Sequence, residues 1–343
     1  MIKVLYRFFL CFTLTLAASS AFSQNDLGDA LKGSIKDANS LANGYITPIM
    51  KVMGTGINAG WNNTAKPHKT LGLDLTFTVS PVFIPSSDKL YEVDNSKLEN
   101  IQLVSTHDKK SPVNGKGFVP TIFGPETSPK YAYVLSGTKV PDLTRTFDGP
   151  PGIDLKKSIG MNALPIPMVQ LGIGIYKNTD LKFRFYPQQQ FGDFKVSLFG
   201  IGVLHDVKQW IPGIKNLPFD LSGFVGFTKL KVQMQLDPGQ TGDFEVSGTT
   251  IQGLISKKIA VLTVYGGFGY NIAKSSIALK GSYDLDDNGS TPAVKDPLTL
   301  SATATGPRVT AGMRLKLAFF TFHGDYTLQK YKTLSVGFGI AIR

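Results

Sequence analysis

Over the last eleven residues the side chains alternate without interruption. Leu334, Val336, Phe338, Ile340 and Ile342 fall on one parity, and Thr333, Ser335, Gly337, Gly339 and Ala341 on the other. Successive strand side chains point to opposite faces, so this segment is a strand with one greasy face. Its length matches the roughly 9 to 11 residues with which a tilted strand crosses a bilayer core. The same alternation recurs along much of the second half. After residue 23 no stretch has the continuous apolar length of a membrane helix, although 42% of the chain is hydrophobic. Greasy surface spread by alternation is how a closed barrel carries it, and the expected fold is all-β, a transmembrane antiparallel β-barrel.

The N-terminus reads as an export signal over residues 1–23. Lys3 and Arg7 form a basic start, Phe8 to Ala18 are almost wholly apolar, and Ala21 and Ser23 are small residues flanking Phe22. Cleavage is expected before Gln24, leaving 320 of the 343 residues. The single cysteine, Cys11, lies in the removed part, so the mature chain has neither a disulfide nor a lipidated thiol. Losing two basic residues and no acidic one takes the formal charge from +11 to +9. The lysines are scattered instead of clustered, which excludes the footprint of a nucleic-acid protein.

Residues 24–66 read as a helical plug or periplasmic cap. Leu27, Leu31, Ile35, Ala38, Leu41, Ala42, Tyr45, Ile46 and Ile49 recur at helical spacing, with a break expected near Gly44 or Pro48. Residues 67–343 form the barrel. Its first strand places Leu71, Leu73, Leu75, Phe77 and Val79 opposite Asp74, and a hairpin joins Val169–Ile175 to Leu181–Phe185 through the turn 177–180. Residues 84–160, rich in proline, glycine and charge, form a long irregular insert with only short candidate strands near Ile101–Val104 and Lys130–Leu135. In Phe219–Leu236 the apolar parity switches from odd to even, which suggests a β-bulge in one long strand, with two tightly joined strands as the alternative. Further strands are expected near 244–252, 260–270, 277–285, 309–317 and 320–328, with an external loop at 286–306. Ten or eleven strands are clear. With a contribution from the insert the expectation is 14, or alternatively 12, since such barrels carry even numbers.

Eight cations share the polar parity of the clearest strands: Lys182, Arg184, Lys195, Lys229, Lys231, Lys280, Arg314 and Lys316. A charge facing lipid at mid-bilayer costs roughly 2 to 4 kcal/mol, so this parity is expected to face the lumen or an interface. The acidic residues expected there, Asp74, Asp220, Asp284 and Asp325, are fewer. A basic interior would favour anions or acidic headgroups. Pairing with carboxylates to hold a closed lumen together is the alternative use of the same residues.

The last hairpin, turning at 329–331, would pair Asp325 with Ser335 and set His323 across from Gly337. Nucleophilic catalysis needs the imidazole bonded to the hydroxyl and donors for an oxyanion, and no such donors are legible, so no enzyme and no catalytic residue is expected. The histidines, His68, His107, His205 and His323, lack the paired spacing of a metal motif. Neither metal nor cofactor is expected.

Two stretches carry a family resemblance. One is Gly60-Trp61-Asn62-Asn63-Thr64-Ala65-Lys66-Pro67-His68 with the strand opening at Leu71. The other is His205-Asp206-Val207-Lys208-Gln209-Trp210-Ile211-Pro212-Gly213, followed by Leu217-Pro218-Phe219-Asp220. With Phe322-His323-Gly324-Asp325-Tyr326 and the final strand, the chain resembles an uncharacterised family of Bacteroidota outer-membrane proteins. That resemblance implies a location and no activity. A helical segment ahead of a mid-sized barrel is more loosely similar to the long-chain fatty-acid transporter family, in which it plugs the lumen. Such barrels commonly end in an aromatic residue, whereas this chain ends Ile342-Arg343.

The expected job is a passive outer-membrane channel or transporter for small hydrophobic or anionic amphiphilic compounds, with the N-terminal helix as plug. A non-transporting structural or interaction protein is the alternative. Outer-membrane lipid and the barrel-assembly machinery are the expected partners, with a hydrophobic or anionic small molecule as substrate of a transporter.

Overall fold

The computed structural model describes residues 35–135, 137–283 and 293–342. The export signal, the first turns of the expected helix and Asp284 lie outside these residues. Ten strands close into one antiparallel barrel. In chain order they are β1 (Leu73–Phe83), β7 (Ala163–Ile175), β8 (Thr179–Phe191), β9 (Phe194–Asp206), β10 (Asp220–Asp237), β11 (Gln240–Ile259), β12 (Leu262–Lys280), β15 (Leu298–Leu317), β16 (Phe320–Leu328) and β17 (Thr333–Ile342). Neighbouring strands pair in a meander, and β17 closes on β1 with Phe77 opposite Phe338 and Leu73 opposite Ile342. The Phe77 and Phe338 rings stack at 5.3 Å.

Ten replaces the expected 14 or 12 for two physical reasons. The strands on one side are long: β10, β11, β12 and β15 run 18 to 20 residues. Consequently 262–270 and 277–280 belong to one strand, and β15 absorbs residues 298–306 of the expected loop. The insert adds no wall strand either. Its segments β2 (Leu90–Asp94), β3 (Ile101–Ser105), β4 (Lys116–Pro120), β5 (Lys130–Val134) and β6 (Pro141–Asp148) pair only among themselves, as β2 with β4 and as β3-β5-β6. They bury their own core of Val93, Leu98, Ile101, Leu103, Val119 and Tyr131.

The expected bulge does not lie at the parity switch in β10, whose register with β11 shifts only at Gln235/Asp237. The strand keeps an unbroken register with β9 from Ser222 to Met234. What switches is the environment. Along its first half the outward residues Val225 and Phe227 are exposed and greasy, as lipid requires. Along its second half the inward residues Leu230 and Val232 are buried against a core that includes Val52, Met53 and Val246. The outward positions there become Lys229, Lys231 and Gln233.

The two rims differ. At the near rim, where β1 starts and β17 ends, the links are the short turns 176–178, 260–261 and 318–319 and the loop 207–219. At the far rim are the short turns 192–193, 238–239 and 329–332, the insert, and the short paired strands β13 (Ser282–Tyr283) and β14 (Val294–Lys295). The outward apolar band, including Leu171, Ile173, Phe199, Ile201, Val203, Val225, Phe227, Ile251, Ile255, Phe268, Val309, Phe322, Val336 and Phe338, hugs the near rim. Above it the outer faces of the long strands turn polar, with Ser247 on β11, Lys274 on β12 and Ser301, Thr303 and Thr305 on β15. A band of about 25 Å is what a bilayer covers. The rest of these strands stands clear of it.

The helix α1 (Ile35–Gly56) runs unbroken through both Gly44 and Pro48, contrary to expectation. A glycine and a proline inside a helix cost about 1 and 3 kcal/mol, and tight packing offsets this. The Tyr91 ring lies so close to Gly44 that a Cβ there would sit 2.3 Å from it, and the Tyr91 hydroxyl donates to the Leu41 carbonyl at 3.2 Å. Burial pushes the Tyr91 phenol well above its ordinary pKa, which keeps it neutral and a donor.

The lipid-facing assignment is testable in refolding into vesicles. Phe338→Lys should lower stability by about 2 to 4 kcal/mol. Ser247→Lys, outward but above the band, should change it by less than about 0.5 kcal/mol.

Candidate functional site in the barrel lumen

From the far rim the chain descends through the lumen to the near rim before β1 begins. The Ser275 hydroxyl donates to the Met50 carbonyl at 2.9 Å, the Ala65 N–H donates to Ser256 Oγ at 3.1 Å, and the Leu71 N–H donates to the Gly174 carbonyl at 2.8 Å. Glycines on both surfaces make room for it. A Cβ on Gly56 would lie 2.4 Å from Ile166 Cγ1. On the wall, a Cβ on Gly226 would lie 2.9 Å from the Trp61 ring, and one on Gly248 2.5 Å from Asn58 Oδ1.

Where α1 ends, the Ile57, Asn58 and Ala59 N–H groups cap the Met53, Thr55 and Gly56 carbonyls, and the carbonyls of the capping residues are left to find donors elsewhere. Cations from the wall meet the residues just beyond. Arg184 donates from Nη1 to the Ile57 carbonyl at 2.8 Å and from Nη2 to the Ala59 carbonyl at 2.7 Å. Arg308 Nη1 donates to the Asn58 carbonyl at 2.9 Å. Lys182 Nζ donates to the Trp61 carbonyl at 2.9 Å and to Asn62 Oδ1 at 2.8 Å. Arg184 is fully buried, and its guanidinium lies 3.7 Å from the centroid of the Trp61 ring. A cation over an indole face is attracted by the ring quadrupole. We call this set of contacts the clamp.

A second polar layer lies nearer the near rim. Arg314 Nη2 stands 3.3 Å from Asp74 Oδ2, and Asp74 Oδ2 stands 3.7 Å from His68 Nε2. His68 Nδ1 is 2.8 Å from Asp180 Oδ2, while the His68 N–H donates to the other Asp180 oxygen. On the inner wall Lys182, Arg184, Arg308 and Arg314 are buried beside the carboxylates Asp74, Asp180 and Asp325. The plug's carbonyl dipoles supply the compensation that those carboxylates leave incomplete.

Of the eight expected cations, only four are on the inner wall: Lys182, Arg184, Arg314 and, half-buried near the end of β15, Lys316. Lys195, Lys229, Lys231 and Lys280 are a correction, because they lie on the outward parity. They occur where the long strands have left the apolar band, so water removes the cost that was expected to drive them inside. Lys229 and Lys231 pair with Glu245 at 2.9 and 3.1 Å, and Lys280 with Asp243 at 2.9 Å. Exposed pairs of this kind contribute at most about 1 kcal/mol.

Arg308, Asp180 and His68 were missed by sequence reasoning. Arg308 follows a stretch that reads as loop, and only its shared parity with Thr310 and Arg314 would have revealed it. The last hairpin has the expected register, Asp325 opposite Ser335 and His323 opposite Gly337. Its side chains form no triad. His323 Nε2 bonds the Thr78 hydroxyl at 3.1 Å, its Nδ1 has no partner, and the Ser80 hydroxyl donates to Ser335 Oγ at 3.1 Å. Among the described residues, no group of three or more His, Cys, Asp or Glu is placed to hold a metal ion.

A closed antiparallel barrel with a greasy outer band and a lumen occupied by its own chain defines the class: a transmembrane β-barrel with an internal plug. The chain belongs to the family described as "Family of unknown function (DUF6588)", which matches residues 1–342. Among curated proteins none matches the sequence. Solved structures to which it is similar include Ail, the attachment invasion locus protein of Yersinia pestis, at 12% identity over 48% of this chain and 91% of that one, TM-score 0.26. The translocator domain of the autotransporter NalP from Neisseria meningitidis matches at 12% identity over 80% and 90%, TM-score 0.25. The Pseudomonas putida toluene transporter TodX matches at 6% identity over 82% and 74%, TM-score 0.23. Likenesses at this level say nothing of what the chain does.

Replacing Arg184 by Leu strands the Ile57 and Ala59 carbonyls. Two hydrogen bonds from a charged donor contribute about 3 kcal/mol or more together. Denaturant unfolding in detergent should show a loss of that order for Arg184→Leu and a change below about 0.5 kcal/mol for the outward Lys231→Leu.

Proposed function

We propose that the chain is an outer-membrane barrel sealed by its own N-terminal segment, serving as a structural or interaction protein of the envelope that carries the insert on one rim. One observation supports this above others. Three of the inward cations that would attract an anionic solute already donate to the plug: Arg184, Arg308 and Lys182 hold the carbonyls of Ile57, Asn58, Ala59 and Trp61. Four of the remaining candidates point outward. The partners that follow are outer-membrane lipid against the apolar band and the assembly machinery that inserts such barrels.

The insert grips the plug from outside. The Asp37 carboxylate accepts from the Glu99 and Asn100 N–H groups at 2.8 Å each, and the Tyr45 hydroxyl donates to the Pro151 carbonyl at 2.8 Å. Removing the plug therefore means undoing contacts at the rim as well as in the lumen.

A second reading, transport of small hydrophobic or anionic amphiphilic compounds, draws on a different observation. Along the seam between plug and wall, Trp61 Nε1, Asn62 Nδ2, Arg308 Nε and Arg314 Nε are buried without a partner. Each such group costs about 1 to 3 kcal/mol, which lowers the work of withdrawing the plug.

Locking the plug separates the two. A Cβ on Gly54 would lie 2.8 Å from the Ala273 Cβ. A small shift brings a Gly54→Cys, Ala273→Cys pair to the roughly 3.5 to 4.5 Å that a disulfide spans. With a fluorescent long-chain carboxylate as probe, sealed-barrel function predicts equal uptake by cells with the wild type, with the oxidised double variant and without the protein. Uptake that depends on the wild type and stops on oxidation supports the transporter and contradicts the sealed barrel.

A further inference from the structure

We infer that the start of α1 is presented at the cell surface: from Ile35 the chain runs back through its own lumen, and only then begins the barrel. This deepens the reading above and rests on its placement of the barrel in the outer membrane.

The direction of threading follows from contacts. The start of α1 is fixed beyond the far rim, where Asp37 binds the insert's Glu99 and Asn100 N–H groups and Asn39 Nδ2 donates to the Pro297 carbonyl at 3.1 Å. Met50 then meets Ser275, and Asn58 meets Arg308. Trp61 meets Phe224 with ring centroids 5.3 Å apart. His68 and Leu71 end against Asp180 and Gly174 at the near rim. The two ends of this one segment therefore lie on opposite sides of the apolar band.

Which side is which follows from the rims. Bacterial barrels place short turns in the periplasm and their longer connections outside. Here both rims carry short turns, and the longest connection decides: the near rim, with the start of β1 and the end of β17, has nothing longer than the loop 207–219, whereas the whole insert between β1 and β7 lies at the far rim. The insert and the polar extensions of β10–β12 and β15 all rise from the far rim. The far rim is the surface, and the start of α1 is there with the insert.

This bears on assembly and on function. A segment so threaded is surrounded as the barrel closes or is drawn through it afterwards, and the clamp fixes it in place. The helix start and the insert together form one surface-side unit.

The mature sequence contains no cysteine, so single thiols report position cleanly. Three exposed lysines serve, each variant checked for folding by heat-modifiable gel mobility: Lys36→Cys at the helix start, Lys97→Cys in the insert and Lys177→Cys in a near-rim turn. Cells are treated with a membrane-impermeant maleimide, intact and after the outer membrane is opened. The expected result is labelling of Lys36→Cys and Lys97→Cys in intact cells, and of Lys177→Cys only in opened ones. If Lys97→Cys labels in intact cells while Lys36→Cys needs opening, the threading is wrong and the barrel's orientation stands. If Lys177→Cys is the one that labels in intact cells, the orientation is wrong and surface presentation falls with it.

Discussion

The constraint on which this structure depends is the cost of an unpartnered polar group away from water. Within the bilayer the backbone can be satisfied only inside the protein, and ten strands closing β17 onto β1 do that for the wall. The same rule then acts on the lumen. Lysine and arginine side chains that point inward need partners, and the wall's own carboxylates do not suffice. The carbonyls just beyond the end of α1 supply what is missing. The clamp thus joins two incomplete structures, a stretch of non-helical backbone lacking donors and a wall lacking acceptors, and each satisfies the other.

That pairing explains features that look unrelated along the chain. Wall glycines such as Gly226 and Gly248 fall where the plug's Trp61 and Asn58 approach, and plug glycines such as Gly56 fall where the wall's Ile166 does. Bulk on one side is matched by its absence on the other, as close packing requires. The apolar inward residues Leu230, Val232 and Val246 lie where the plug is still helical and greasy. The charged inward residues lie lower, where the helix has ended. The composition of the lumen follows the plug residue by residue.

Much of the wall was legible because lipid enforces a period of two. The strands around Phe77, Ile173, Phe183 and Phe338, and the pairing of Asp325 with Ser335, could be read from parity alone. What parity cannot show is where the bilayer stops. Lys229 and Lys231 obey the same alternation as Lys182 and Arg184 yet face water, because β10 continues past the apolar band. The parity switch in β10 misleads for the same reason: it marks a change of surroundings instead of a change of register. Of the insert only the strands at Ile101 and Lys130 were legible, and its pairing was not, because short strands pair across long sequence gaps, as Leu90 does with Pro120. Arg308 was hidden by its neighbours, since Pro307 and Gly306 read as loop.

The clamp implies that residues 57–72 are as firmly held as the wall itself. Hydrogen exchange of the protein in lipid nanodiscs measures this directly. Amides whose bonds the plug makes to the wall, such as those of Ala65, His68 and Leu71, should be protected to the same degree as those of β1 and β17. A plug exchanging like an open segment, with the strands still protected, would contradict the account.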